Sequence, residues 1–440
     1  MKKLLVLLLA LAALGAGFAW GFATDRYRVF PMSLIRSAAV VFGQRWNSVA
    51  VVKSTSPSLA ALKSVPYLSG SVDADPSAMG VLVNEPDRVA PGLNFLSTLW
   101  AGDAFLVGND GKVLWRWSLS RELSPVELRP GIAFGYTHLF PNGDVLAFVD
   151  GFGVVKLDKD SRLLWKRVAL AHHDAFVADD GTIYALVHER RVVPTISDRH
   201  PLLVDDVEVL SPSGERLRVI SLFDAIQGSP YAFLLPRTAG LVLEPGTDMV
   251  DVFHTNHVEV YDGKLAGLSP LFRRGNLLLS MRSLNAIAIL DGATSEVLWL
   301  WGPTNLSLQH YPTILDNGNI LLFDNGTSRS QVIEVDPRTN AVAWRYAPEK
   351  NFHSASRGAC QRLSNGNTLI TLSERGHALE VTSSGRTVWE YANPSVAPGG
   401  VREAIFQVTR LPSASLTFLG SSPARTRFQS PSKRAAIQSR

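Results

Sequence analysis

One unit recurs along this chain: a turn built on Asn-Gly or Asp-Gly, an apolar strand, a second turn, and a strand ending in tryptophan. Its first half reads Pro141-Asn142-Gly143-Asp144-Val145-Leu146 and returns at Asp180-Gly181, Asn317-Gly318 and Asn365-Gly366. Its second half reads Gly111-Lys112-Val113-Leu114-Trp115 and returns with Trp165, Trp299, Trp344 and Trp389. Gly214-Glu215-Arg216-Leu217-Arg218 is a degenerate copy without its tryptophan. Asn-Gly and Asp-Gly supply the positive φ angles of tight hairpins, and β-branched and aromatic runs between them suit buried sheet. A spacing of about 45–50 residues matches four-stranded propeller blades. The unit predicts an all-β, six-bladed β-propeller rather than a sandwich or open solenoid, because ring closure limits exposed strand edges.

The organisation follows from where the unit is present. Residues 96–411 form the expected propeller, with an insertion expected within 224–250. Residues 25–95 lack the pattern and read as a membrane-proximal linker plus the strand that closes the ring. From Pro412 to Arg440, Ser, Pro, Ala and Arg dominate, the composition of a disordered basic tail. Lys2 and Lys3 precede an uncharged run from Leu4 to Thr24. That run approaches the ~20 residues of a spanning helix, longer than the core of a cleaved signal peptide. Residues 1–24 are therefore expected to be an N-terminal transmembrane or signal helix, with the lysines cytoplasmic and the rest outside. The expected location is periplasmic, anchored to the inner membrane by residues 4–24.

Hydrophobic residues make up 46% of the chain and charged residues 19%, ample for a folded core. A net charge of +4, with much of the excess in the tail, is no nucleic-acid signature. Cys360 is the single cysteine, so no intramolecular disulfide, Cys-based zinc site or dithiol chemistry is available.

Ten histidines are present, and several stand just before a strand of the unit: His172-His173-Asp174, His254-Thr255-Asn256-His257, Gln309-His310-Tyr311 and Phe352-His353. His173 and His310 each precede their unit's turn glycine by eight residues, so they hold equivalent places in different blades. Equivalent inner positions of a propeller converge on its channel, and convergent imidazoles in a concavity are raw material for catalysis or metal binding. A lone histidine at a strand start is more often a hydrogen-bonding turn residue. Arg282, in Leu279-Ser280-Met281-Arg282-Ser283, reads as a guanidinium interrupting an apolar strand, which is costly unless it is paired or meets an anion.

Asp251-Val252-Phe253-His254-Thr255-Asn256, the Ser280-Met281-Arg282 element, Gln309-His310 and Phe323-Asp324-Asn325-Gly326 occur in the order found in bacterial arylsulfate sulfotransferases. The resemblance covers roughly 130–410. It implies a periplasmic, six-bladed enzyme, independent of the nucleotide sulfate donor PAPS, that moves a sulfuryl group from a phenolic sulfate ester to an acceptor phenol. By that resemblance His310 is the nucleophile that becomes sulfohistidine, while His254, Asn256 and Arg282 hold the sulfate oxygens and assist proton transfer. The remaining family histidine falls on the His172-His173 pair, with His173 favoured by register. His172 and His353 are further candidates for substrate contact, and the scheme needs no cofactor and no metal.

The chain departs from the family in having no cysteine pair, an expanded loop with Arg273-Arg274, and no sizeable β-domain before the propeller, which members often use to dimerise. The implied partners are an aryl sulfate donor, a phenolic acceptor, the inner membrane and a second copy in a homodimer, but no nucleic acid. Two other readings stay open: a non-catalytic envelope scaffold, and a quinoprotein-like propeller binding a quinone or metal.

Overall fold

A computed structural model describes residues 75–420 except 76, 100, 120–133, 150–151, 198–199, 238–248 and 397–399. The described residues form six sheets, each a blade of a β-propeller. Blade I takes Leu93–Thr98, Asp103–Val107 and Val113–Ser118 from near the start of the fold and its innermost strand, Ile405–Leu411, from the end. Blade II runs from Phe134 to Val168 and blade III from Ala171 to Ser221. Blade IV runs from Thr255 to Trp301, blade V from His310 to Tyr346 and blade VI from Ala359 to Ala392. In blades II to VI the four main strands pair antiparallel in sequence order, the first lying innermost, and in blade III the short strand Val250–Asp251 adds in parallel beside Leu202–Leu210.

The closing strand expected within 25–95 divides into two pieces. Gly80–Asn84 pairs with Thr387–Ala392 as an added outer strand of blade VI, and Leu93–Thr98 pairs directly with Ile405–Leu411 in blade I. The seam is locked by a buried ion pair in which Arg410 Nη1 lies 3.1 Å from Glu380 Oε2. Arg410 also donates through Nε to Asn94 Oδ1 and through Nη1 to the Ala90 carbonyl at 2.7 and 2.6 Å, while its Nη2 is buried without a hydrogen-bond partner.

The turn residues act as the sequence predicts. Gly143, Gly181, Gly318 and Gly366 take φ values of 89°, 83°, 83° and 84°. Ser161, Ser295 and Asn340 adopt the same left-handed region in their units' second turns, at 65°, 64° and 61°.

The recurring tryptophans have a structural task that the sequence pattern alone does not state. Each sits on the fourth strand of its own blade, counted from the channel, and donates its indole N–H to the next blade. Trp115 reaches the Lys159 carbonyl at 2.8 Å, Trp165 that of Pro212 at 3.2 Å, and Trp344 that of Ser383 at 3.0 Å. Trp299 reaches Asn340 Oδ1 at 2.9 Å, and Trp389 closes the circle on the Asn109 carbonyl of blade I at 3.0 Å. Blade III lacks the tryptophan, but Arg218 stands in its register and donates through Nη1 to the Gly292 carbonyl of blade IV at 2.6 Å. The degenerate unit thus keeps the donor and exchanges its carrier.

The apolar core lies between the blades, where facing strands pack Leu, Ile, Val and Phe side chains. The expected insertion holds a short helix, Leu222–Gln227, capped by Ser221 and buried through Leu222, Phe223 and Ile226. One expectation is corrected: the segment from Pro412 to Gly420 is ordered rather than a disordered tail, because Leu416 and Phe418 are buried against blades I and II. The expected helix at 4–24 lies outside the described residues, and among those residues no helix is long and apolar enough to cross a membrane.

Candidate active site

Four innermost strands deliver the site at one mouth of the channel. Blades III, IV, V and VI each place a non-glycine residue in the left-handed region there: His173 (φ 54°), His254 (48°), Tyr311 (50°) and Arg357 (57°). Such residues are uncommon and carry backbone strain. In blades III to V the strain sits at register shifts, where the inner strand bulges against its neighbour and turns side chains toward the axis. The resulting cleft is lined by His173, Asn256, His310, Tyr311, Arg357 and Gln407.

His310 is buried and its two ring nitrogens are distinguished by their partners. Nδ1 lies 2.7 Å from Asn325 Oδ1 and 2.9 Å from the Leu308 carbonyl, both acceptors. Asn325 donates its own NH₂ to the carbonyls of Ser354 and Arg357 at 2.8 and 2.6 Å, which fixes its oxygen toward the ring. Nδ1 therefore carries the proton and Nε2 presents a lone pair, accepting the Arg357 backbone N–H at 3.2 Å. Burial, reinforced by the Arg282 charge, holds the His310 pKa well below the ordinary value, so the ring is neutral.

His254 is oriented from behind. Asp251 accepts its backbone N–H at 2.9 Å through one carboxylate oxygen and makes a very short contact to Nδ1 through the other. Burial would raise the Asp251 pKa, but His254 more than offsets this and the carboxyl is held below its usual value. The His173 ring meets His254 edge to face at 4.6 Å. Burial, with His254 and His172 close by, holds the His173 pKa well below the ordinary value. Asn256 donates to the Gln309 carbonyl at 2.8 Å. The Gln309 amide in turn donates to Ser280 Oγ and the Met281 and Ala286 carbonyls, fastening blade V to blade IV behind His310.

Three expectations need adjustment. Arg282 does not interrupt a strand: Leu277–Met281 ends before it, and Arg282 opens a 3-10 turn, half-buried, with its N–H on the His254 carbonyl at 3.2 Å. His172 does not line the cleft. It lies behind His173, with the two Nδ1 atoms 2.9 Å apart, and stacks on His188 at 3.6 Å with rings 3° from parallel. His353 also lies off the cleft, half-exposed, with Nδ1 3.3 Å from Ser330 Oγ.

His172, His188 and Asp205 bring three metal-type ligand atoms within 4.8 Å of one another. Stacked imidazoles cannot both direct an in-plane lone pair at one ion, because their planes lie about a ring thickness apart. The His188 Nδ1 contact to Asp205 Oδ1 at 2.8 Å makes this a buried hydrogen-bonded support for His173 rather than a cation cage as it stands.

Arg357, Tyr311, Gln407 and Asp251 are members of this neighbourhood to which the sequence assigned no role. Positive φ at Arg357 and Tyr311 has no signature in side-chain type. Asp251 was visible as part of the run ending in His254, but only the fold shows its carboxylate on the ring.

A ring of six blades with imidazoles, an asparagine and guanidinium groups gathered at one channel mouth defines a propeller with an anion-suited, histidine-rich site. The arylsulfotransferase (ASST) family matches residues 135–394, more than half of the chain, and the protein belongs to that family. Comparison with curated proteins gives no match. Similar solved structures include a protein of unknown function from Bacteroides caccae, 13% identical over 71% of this chain and 97% of that one, with a TM-score of 0.47. A catalytically inactive virginiamycin B lyase from Staphylococcus aureus with quinupristin is 8% identical over 60% of this chain and 71% of that one, with a TM-score of 0.35. BamB from Moraxella catarrhalis is 10% identical over 76% and 98%, with a TM-score of 0.33.

Proposed function

We propose that this protein transfers sulfuryl groups from phenolic sulfate esters to acceptor phenols through a covalent intermediate on His310 Nε2. The observation that carries the reading is the neutral His310 ring with its proton fixed on Nδ1 and its lone pair on the cleft side. A neutral imidazole is a competent nucleophile, and covalent transfer divides one difficult displacement into two easier ones.

In the first half, Nε2 attacks the ester sulfur, the N–S bond forms, and the S–O bond to the aryl group breaks. The departing phenolate takes a proton from His254, whose imidazolium form Asp251 stabilises. Because Asn325 and Leu308 keep the proton on Nδ1, the sulfated ring is cationic and remains a good leaving group. In the second half, His254 accepts the acceptor phenol's proton, its oxygen attacks sulfur, and neutral His310 departs.

Arg282 supplies charge to the sulfuryl oxygens, and the Arg357 backbone N–H supplies a hydrogen bond once the sulfuryl group takes its place on Nε2. The cleft between His310 and Arg357 is narrow, so the Arg357 segment must withdraw as the aryl sulfate enters. The lysine pair and apolar run at residues 2–24 support a periplasmic placement anchored in the inner membrane.

The test is purified protein with p-nitrophenyl sulfate and phenol, following nitrophenol release and the peptide mass at His310. Release above the His310→Ala background, with one SO₃ trapped on the His310 peptide, is the expected result. No release above that background would leave the scaffold reading in its place.

A further inference from the structure

The channel has a second chamber beyond the Tyr311–Gln407 contact, with a volume of about 210 Å³. Gln407 donates to the Tyr311 hydroxyl at 3.1 Å, and both residues line the catalytic cleft on one side and this chamber on the other. Its remaining walls include Tyr136, His138, Phe176, His257 and Glu259, toward the far ends of the inner strands. An engineered cavity of about 150 Å³ holds benzene, so this one accommodates a single ring with a short polar arm.

The chamber sets the Glu259 carboxylate and the Gln407 side-chain oxygen among hydroxyls that can turn to accept or donate. Glu259 has one carboxylate oxygen on the Ile314 N–H at 2.9 Å and forms no ion pair among the described residues. Burial pushes its pKa up to about 7, against the opposing pull of His257 and the Ile314 N–H. Gln407 spends both its N–H contacts on Tyr311 and Thr409, leaving Oε1 buried without a partner. His257 Nδ1 lies 2.5 Å from Asp174 Oδ2 outside hydrogen-bond geometry, and both of its ring nitrogens are buried without a hydrogen-bond partner. Thr137 Oγ1 is another buried polar atom without a partner. His138 is kept neutral by burial and by Lys156, whose charge faces Asp144 at 3.7 Å.

A group that only donates, and carries positive charge, meets this set best. An ammonium has three donors and no acceptor, and aromatic walls favour cations over anions. We propose that this chamber binds an arylalkylammonium ion, its nitrogen at Glu259 and its ring among Tyr136, Phe176 and Tyr311. The channel then has opposite charge preferences at its two mouths, with anionic esters on the His310 side and a cation on the Glu259 side.

The test is calorimetric titration of the full-length protein with benzylamine, benzyl alcohol and benzoate, which share a ring and differ in charge. Benzylamine is expected to bind at least about tenfold tighter than the alcohol, with benzoate weakest. Glu259→Gln should reduce benzylamine to the level of the alcohol, whereas His310→Ala should leave the preference intact. Thr313→Phe, which fills the chamber without touching the carboxylate, should abolish binding. Equal affinity for amine and alcohol in the wild type would overturn the proposal even if no variant folds. A preference that survives Glu259→Gln, or that disappears with His310→Ala, would overturn it as well.

Discussion

Asn325 Oδ1 lies 2.7 Å from His310 Nδ1, and the Asn325 amide nitrogen is pinned by two carbonyls of the 352–358 loop. The loop sets the amide, the amide sets the tautomer, and the tautomer decides which nitrogen can attack. Which ring nitrogen of His310 presents a lone pair is thus governed by a backbone segment leading into blade VI, and on the proposed mechanism that is the attacking nitrogen.

Asn325→Ala is expected to lower kcat by about 10²–10⁴-fold, the scale seen when a catalytic imidazole is held in the wrong tautomer. KM for p-nitrophenyl sulfate should change far less. Steady-state kinetics with a circular-dichroism check on folding decide this, and a variant within a few fold of wild type would remove Asn325 from the mechanism.

Asp251→Asn should act through His254 and depend on the leaving group. Nitrophenolate is a stable anion and needs little protonation, whereas an alkylphenolate needs much more. The variant should lose about tenfold on p-nitrophenyl sulfate and at least 10²-fold on an alkylphenyl sulfate. A loss of equal size on both donors would point to damaged geometry instead.

Acid should destabilise the fold in a defined window. His138, His172, His173 and His310 all have pKa values lowered by burial from the ordinary 6.5. The unfolded chain takes protons that the folded one declines, so stability present above pH 6.5 is lost as pH falls through the depressed values. Glu259 works in the opposite sense between 4.5 and about 7, since its folded pKa is raised. Asp206, raised to about 6, and Asp324 and Glu374, also raised by burial, act in the same sense as Glu259, so the four imidazoles set the sign of a net loss to which each uncompensated proton contributes ~1.4 kcal/mol per pH unit. Urea midpoints at pH 7.5 and 5.5 test it, and an equal or higher midpoint at 5.5 would contradict it.

Trp389→Phe removes an indole donor from the contact between blades VI and I while keeping most of the buried ring. The Asn109 carbonyl loses its partner, and the expected cost is about 1–3 kcal/mol. Arg218→Met should cost a similar amount at the junction of blades III and IV. Both are read from denaturant midpoints, with Trp→Phe at the more exposed Trp165 as the milder comparison.

The fold was legible because its punctuation is local. Asn-Gly turns and outer-strand tryptophans follow from neighbours in sequence, and they repeat. His173 and His310 were legible as candidates for a related reason, since equivalent places in a ring face one axis, whereas Asn256 and the role of His254 rested on the family resemblance. Arg282 was misjudged because strand ends are set by hydrogen bonds to the next strand, which composition does not report. Arg357 was invisible, lying in a serine-rich loop whose position depends on Asn325 and Glu374 far along the chain. The Pro412–Gly420 segment was misread on average composition, when two apolar side chains sufficed to seat it.

The seam in blade I also orders events in time. Blades II to V, and the four main strands of blade VI, come from contiguous stretches and can pair as the chain lengthens. Blade I waits for Ile405–Leu411, which comes last of all its strands. A chain emerging N-terminus first therefore carries three unfinished strands, Leu93 to Ser118, through almost its whole synthesis. Their open edge is a hazard for wrong pairing until the final inner strand arrives. Truncation before residue 405 should leave a molecule with local order, no closed ring and a strong tendency to associate with its own kind.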